Sequence, residues 1–297
     1  MPELEQAYQF CQKLAKSHYE NFPVASVLLP KRLRRPISVI YAFARTADDF
    51  ADEGDLLPQQ RLALLEEFST ALQAVSDNIY QDTDPIFIAL DDVIKQHALP
   101  TELFADLLDA FKQDVTKQRY QSFADVLDYC RRSANPVGRL LLHLSGKPTP
   151  QQLEQSDAIC SSLQLINFYQ DIVQDLTESD RVYIPTDELE QFGVGEQQLL
   201  SEDTTKIAPL LRLQYQRAQQ MMTQGIELGC TIKGRVGWEI RAMTLGGIIT
   251  LNKLIKQKDH ALLSRPRLTK LTLLQTIIFS LSKKQYLRHA KQLLDIP

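Results

Sequence analysis

The chain has 297 residues, 44% of them hydrophobic, and a formal net charge of −4; that apolar content is enough for a sizeable core. An acidic balance argues against a nucleic-acid partner, for which a basic domain is expected. MPELEQAYQF lacks the pattern of a secretory leader, and the apolar stretch Leu268 to Leu281 contains Lys270, short of the roughly 18 uninterrupted residues of a spanning helix. The expected location is the cytoplasm, with peripheral contact at the inner membrane face left open.

Helical periodicity runs through nearly every long segment, and no alternating β-branched run stands out. Helices are predicted over Glu3 to Glu20, Pro36 to Asp52, Pro58 to Val75, Pro85 to His97, Thr101 to Gln113, Phe123 to Ser145, Pro150 to Asp175, Ser201 to Leu228, Val236 to Lys256 and Leu268 to Leu294. Pro36, Pro58, Pro85 and Pro150 suit first-turn positions, where a missing N–H costs nothing. The expected class is all-α, a single domain over residues 1–297, since no Gly/Ser-rich or charged linker divides it. Asn135-Pro136 should break or kink an otherwise apolar helix. The stretch Thr177 to Gly195 is the least helical and reads as a lid. Cys11, Cys130, Cys160 and Cys230 are far apart, with no CxxC, and read as reduced, mostly buried thiols.

Two helices carry the same device. At about 100° per residue, Gln164, Asn167, Asp171 and Asp175 share one narrow arc, and Tyr41, Arg45, Asp48 and Asp52 share another, with Asp49 beside it. Like charges one turn apart weaken a helix, and apolar surroundings raise the cost, so something positive is expected there. Carboxylate oxygens are ligands of hard cations, and Mg²⁺ is commonly held by one or two carboxylates plus substrate phosphates. Arg45 could pair with Asp48 or Asp49, or grip a phosphate. Phe22, Phe43, Phe50, Phe168 and Tyr169 read as core, with an aromatic-lined pocket as the alternative. The cationic run PKRLRRP, residues 30–36, reads as solvated surface.

YAFARTADDFADE and SLQLINFYQDIVQD, followed by DRVYIP, resemble the two aspartate motifs of the squalene and phytoene synthase family, whose members have the type I isoprenoid (terpenoid) synthase fold with a central cavity. HYENFPVAS and YCRRSANPVGRLLLHL resemble its bacterial hopanoid-pathway branch, the hydroxysqualene synthases. The resemblance implies that Asp48, Asp52, Asp171 and Asp175 hold Mg²⁺ bridging to a diphosphate, with Asn167 assisting the second cluster. It implies that Arg45 grips the diphosphate, that Tyr41, Tyr129 and Gln164 line the reaction cavity, and that Arg181 and Tyr183 belong to a flap. It also implies that Asn21, Phe22 and Gln170 are substrate-binding positions.

Gln170 departs from the family pattern, which has Arg there, and Ala134-Asn135-Pro136-Val137-Gly138 departs from its Ala-Gly-x-Val-Gly. The lost cation favours a reaction that manages one diphosphate rather than two. The implied activity is Mg²⁺-dependent conversion of presqualene diphosphate to hydroxysqualene, a lyase reaction coupled to a presqualene diphosphate synthase. One alternative is head-to-head condensation of two farnesyl diphosphates to presqualene diphosphate, squalene or a carotenoid precursor. The other is a non-catalytic helical subunit that binds isoprenyl diphosphate.

Overall fold

The computed structural model describes residues 2–17, 30–201, 204–258 and 262–295. In chain order the helices are α1 (Pro2–Ser17), α2 (Lys31–Asp52), α3 (Pro58–Ser76), α4 (Pro85–His97), α5 (Glu102–Thr116), α6 (Phe123–Ser133), α7 (Asn135–Ser145) and α8 (Pro150–Gln170). There follow α9 (Ile172–Ser179), α10 (Thr186–Gln191), α11 (Ile207–Gly225), α12 (Leu228–Thr231), α13 (Gly234–Ile255), α14 (Lys270–Leu281) and α15 (Lys283–Leu293). Among the described residues the only β pairing is an isolated parallel bridge between Arg119 and Val182. The architecture is all-α, as the periodicity predicts.

Local chemistry explains the boundaries. Pro58, Pro85 and Pro150 open α3, α4 and α8. The Asp84 carboxylate accepts the Ile86 N–H at 2.7 Å, capping α4. Ser122 and Asp125 cap α6 reciprocally, the Asp125 N–H donating to Ser122 Oγ at 3.3 Å and the Ser122 N–H to Asp125 Oδ2 at 3.1 Å; each bond satisfies an orphan donor. Pro36 does not open a helix. It lies inside α2, whose first residues are the cationic run itself, so Pro36 removes one backbone bond from the ladder. The helix predicted over Phe123 to Ser145 divides at Ala134, and Asn135 starts α7; that break is the one Asn-Pro predicts. The stretch predicted as Leu268 to Leu294 divides at Ser282, whose hydroxyl caps α15.

The chain divides into two compact units, Met1–Thr116 with Pro136–Thr149, and Lys117–Asn135 with Pro150–Pro297. The first is built around Phe43 of α2, fully buried. Its ring meets Phe87 of α4 and Phe104 of α5 edge-on at 5.9 and 5.4 Å, and Phe68 of α3 at 5.8 Å, the offset geometry that ring quadrupoles favour. Phe43 is therefore core rather than pocket lining. The second unit is built around α8, which packs against α6, α11 and α13. Gly225 lets α11 close on α8: a Cβ there would lie 2.4 Å from Ile159 Cγ1 and 2.6 Å from the Gln155 carbonyl oxygen. Among the described residues no disulfide joins the cysteines, and Cys11 and Cys130 are buried.

Candidate active site

In the first unit, the polar stripe of α2 is organised by Arg45. Its Nη1 lies 3.2 Å from Asp48 Oδ2, and its Nη2 lies 2.5 Å from Asp49 Oδ1 and also reaches Glu53. Burial opposes the charge on Arg45, but Asp49, Asp48 and Glu53 more than offset this and hold the guanidinium firmly protonated. Tyr41 stands half-buried one turn earlier, its hydroxyl pushed up by burial and by Asp48 and Asp49, with Arg45 opposing. Asp52 is exposed at the last turn. That turn is clasped from outside: Arg61 of α3 donates to the carbonyls of Phe50, Glu53, Gly54 and Leu56 at 2.7 to 3.2 Å. A helix C-terminus leaves such carbonyls unpaired, and a cation there is favoured.

In the second unit, α8 carries Gln164, half-buried, and Asn167, exposed. The continuous helix predicted through Asp175 is broken at Asp171, which leaves helical geometry (φ −109°, ψ 13°) and opens α9. Backbone bonds persist across the break, the Asp171 N–H reaching the Asn167 carbonyl at 3.0 Å and the Asp175 N–H the Asp171 carbonyl at 2.7 Å. The two aspartates thus remain one turn apart. Arg265 Nε lies 2.8 Å from Asp171 Oδ1, an ion pair without hydrogen-bond alignment, since that buried oxygen accepts no hydrogen bond. The Asp171 carboxyl is raised by burial despite Arg265. Burial and the neighbouring Asp171 push Asp175 further, up to about 7, with Arg181 and Arg265 pulling the other way. Gln170 donates from Nε2 to the Pro266 carbonyl at 2.9 Å, fixing the residue next to Arg265.

Asp175 and Arg181 line a cleft of about 10 Å³ with Phe168 and Tyr183. The Phe168 and Tyr183 rings stack at 3.6 Å and 5°. Tyr129 of α6, buried, tilts against both at 6.1 and 5.8 Å. The stretch Thr177 to Gly195 is more ordered than its composition predicts. α9 occupies its start and α10 its middle. The Val182 and Thr186 N–H groups donate to the Gln118 and Tyr120 carbonyls, both at 2.9 Å. Glu188 is buried and paired with Arg217 at 2.5 Å. Arg119 closes the strap, binding Glu196 through Nε at 2.6 Å and Nη2 at 2.8 Å, and Asp180 through Nη2 at 2.7 Å. Short-range polarity suggested a loose loop; these long-range bonds tie the stretch down.

Sequence comparison settles the family, because a squalene/phytoene synthase family model matches residues 15–274. The chain belongs to the squalene/phytoene synthase family. It is 33% identical over 242 residues to a hydroxysqualene synthase of Sinorhizobium fredii, covering 81% of this chain and 80% of the relative. It is 30% identical over 232 residues to a phytoene synthase of Mycobacterium bovis, covering 77% and 75%. Among solved structures, the squalene synthase HpnC of Alicyclobacillus acidocaldarius matches with a TM-score of 0.77 at 35% identity, covering 86% of this chain and 95% of that one. The fold is the terpenoid synthase fold, and the family is one of enzymes.

Within this squalene/phytoene synthase frame, the structure brings together Tyr41, Arg45 and Asp48 on α2, and Gln170, Asp171, Asp175, Arg181, Tyr183 and Tyr129 in the second unit. Asn21 and Phe22 lie outside the described residues. Arg61, Arg119 and Arg265 escaped the sequence reading. Each acts on a partner distant in sequence or on backbone carbonyls, which no periodicity reveals. Among the described residues no three His, Cys, Asp or Glu side chains converge as a ready metal shell. Pairs of carboxylates with an oxygen that accepts no hydrogen bond, as at Asp171, suit Mg²⁺, which takes one or two carboxylates and completes its shell with water and phosphate oxygens.

Proposed function

We propose that the protein converts presqualene diphosphate to hydroxysqualene, releasing diphosphate, with Mg²⁺ as its cofactor, within bacterial squalene and hopanoid biosynthesis. The observation that carries this reading is the second aspartate pair. Its crowded, part-buried carboxylates resist ionising side by side, Asp175 most of all, so a cation is needed to hold both charged, and they sit beside an aromatic cluster. The similarity to the S. fredii hydroxysqualene synthase supports the choice of reaction.

Asp48 and Asp52 on α2, and Asp171 and Asp175 with Asn167 at the α8–α9 break, would hold Mg²⁺, which when bound neutralises a diphosphate and makes it a better leaving group. Arg45 in the first unit and Arg181 in the second each offer fixed positive charge suited to diphosphate oxygens. The carbon–oxygen bond breaks heterolytically and its electron pair leaves with the diphosphate. Tyr129, Phe168 and Tyr183 present π faces that favour the carbocation left behind and keep bulk water from it during rearrangement. A single water then adds its oxygen to the cation and passes its proton to the departed diphosphate. The cleft admits about one water, so Tyr183 has to separate from Phe168 before a prenyl chain can pass.

A second reading is head-to-head condensation of farnesyl diphosphate. It is favoured by the similarity to the mycobacterial phytoene synthase and by Arg265, which restores a cation beside Asp171 although position 170 is Gln. Product analysis separates the two. Purified protein with presqualene diphosphate and Mg²⁺, without NADPH, should release diphosphate and a C30 alcohol carrying oxygen from labelled water. Efficient conversion of farnesyl diphosphate alone to squalene or a carotenoid precursor would favour the second reading. Absence of any Mg²⁺-dependent diphosphate release would leave only a binding role.

A further inference from the structure

Helix α14 is built inside out. Thr276 and Ser280 are its buried positions, with Thr272 half-buried one turn before them, so a row of hydroxyls faces the protein. Leu271, Leu273, Leu274, Ile277, Ile278 and Leu281 are between 40% and 65% exposed. A soluble surface helix shows the reverse, its apolar stripe inward and its polar residues in water.

The orientation is fixed by specific bonds. Thr276 Oγ1 donates to the Thr272 carbonyl and Ser280 Oγ to the Ile277 carbonyl, both at 2.8 Å. Trp238 Nε1 of α13 donates to Ser280 Oγ at 2.8 Å. The buried Arg241 donates to the Ser280 carbonyl at 2.7 Å and the Leu281 carbonyl at 3.4 Å. Rolling α14 over to bury its leucines would strip these buried donors of their acceptors, a large cost. The aliphatic face is therefore held outward by the fold, and a contiguous exposed patch of this kind marks an interaction surface.

Charge identifies the occupant. From Leu262 to Leu294 there is no Asp or Glu, while Arg267 and Lys270 precede the apolar face and Lys283, Lys284, Arg288 and Lys291 follow it, in a chain of net charge −4. A second copy of α14 laid on the first would oppose two cationic sets. An anionic bilayer surface satisfies both the apolar face and its cationic flanks. No described helix is long and apolar enough to cross a membrane, so the contact lies in the interface plane. We propose that α14 docks this protein on an anionic lipid surface, with its leucine and isoleucine face among the acyl chains and the flanking lysines and arginines among the headgroups. The proposal uses none of the active-site residues and stands whichever reaction the protein performs.

The test is co-sedimentation with vesicles of equal parts phosphatidylglycerol and phosphatidylcholine, against pure phosphatidylcholine. Binding to the anionic vesicles should be at least about tenfold tighter, and K284E/R288E should weaken it by about fivefold or more per charge. L274S/I278S should weaken it at least about tenfold, with helical content and turnover in detergent unchanged. The proposal is overturned if wild type binds neither vesicle, or if L274S/I278S binds as wild type does. It is equally overturned if sedimentation velocity shows concentration-dependent self-association that L274S/I278S abolishes while vesicle binding is absent, which would make α14 a protein interface.

Discussion

Arg265 Nε stands 2.8 Å from Asp171 Oδ1, and the side-chain amide of Gln170 holds the adjacent Pro266 carbonyl at 2.9 Å. The cation absent from position 170 is thus delivered from a segment more than ninety residues away. Arg265→Gln should lower turnover about tenfold or more, the scale of one lost charge-assisted contact, while lowering the Mg²⁺ concentration needed, because Asp171 is no longer engaged. Stability should move by less than about 0.5 kcal/mol, since Arg265 is half exposed. Gln170→Ala should act in the same direction and more weakly. Steady-state kinetics across a Mg²⁺ titration decide it; an unchanged kcat in both variants would leave Arg265 a surface charge.

The four aspartates give a second expectation. Asp48→Asn, Asp52→Asn, Asp171→Asn and Asp175→Asn should each reduce Mg²⁺-dependent diphosphate release about a hundredfold or more, with circular dichroism unchanged. Near-normal rates in two or more of them would remove the metal assignment.

Asp175 also predicts a pH effect in metal-free protein. Its folded-state pKa of about 7 lies above the unfolded value near ~3.9, so between those values the folded state binds more protons than the unfolded one. The associated stability is fully present below about 4 and is lost as pH rises through about 7. Melting temperature in chelator should therefore fall from pH 5 to pH 8, and Asp175→Asn should flatten that slope. A slope identical in the variant would show that the carboxyl is not strained.

Arg119 gives a prediction about the strap it closes. Arg119→Gln loses charge at both Glu196 and Asp180, and the stretch from Asp180 to Glu196 should then be cut by a broad-specificity protease faster than in wild type, with cleavage sites mapping inside it. Equal cleavage rates would mean that the backbone bonds to Gln118 and Tyr120 suffice alone.

Gly237 carries the stability prediction. A Cβ there would lie 2.1 Å from the Ile232 carbonyl oxygen, and backbone cannot yield as a side-chain tip can. Gly237→Ala should destabilise the protein by about 1–3 kcal/mol, read as a lower denaturation midpoint at unchanged slope.

What the sequence made legible was whatever repeats at helical spacing or caps a helix locally. Pro58, Pro85 and Pro150 marked helix starts, Asn135-Pro136 marked a break, and the aspartate stripes marked the candidate site. Pro36 misled because a first-turn proline and an interior one differ only in what precedes them, and here the preceding cations are already helical. The break at Asp171 was hidden because i, i+4 spacing continues through it. Arg265 and Arg119 were invisible for another reason: their partners are set by tertiary structure. The division at Ser282 did carry a signal, a serine three residues before Gln285, inside an otherwise apolar and basic run.

The four carbonyls that Arg61 gathers at and just beyond the end of α2 bear on how well ordered its last turn is. An unclasped helix end frays, and the carboxylates of its last turn then sample many separations. With the end pinned, the ordering of Asp48 and Asp52 is completed during folding. A cation held there as proposed would meet a backbone already ordered and lose less affinity to ordering it.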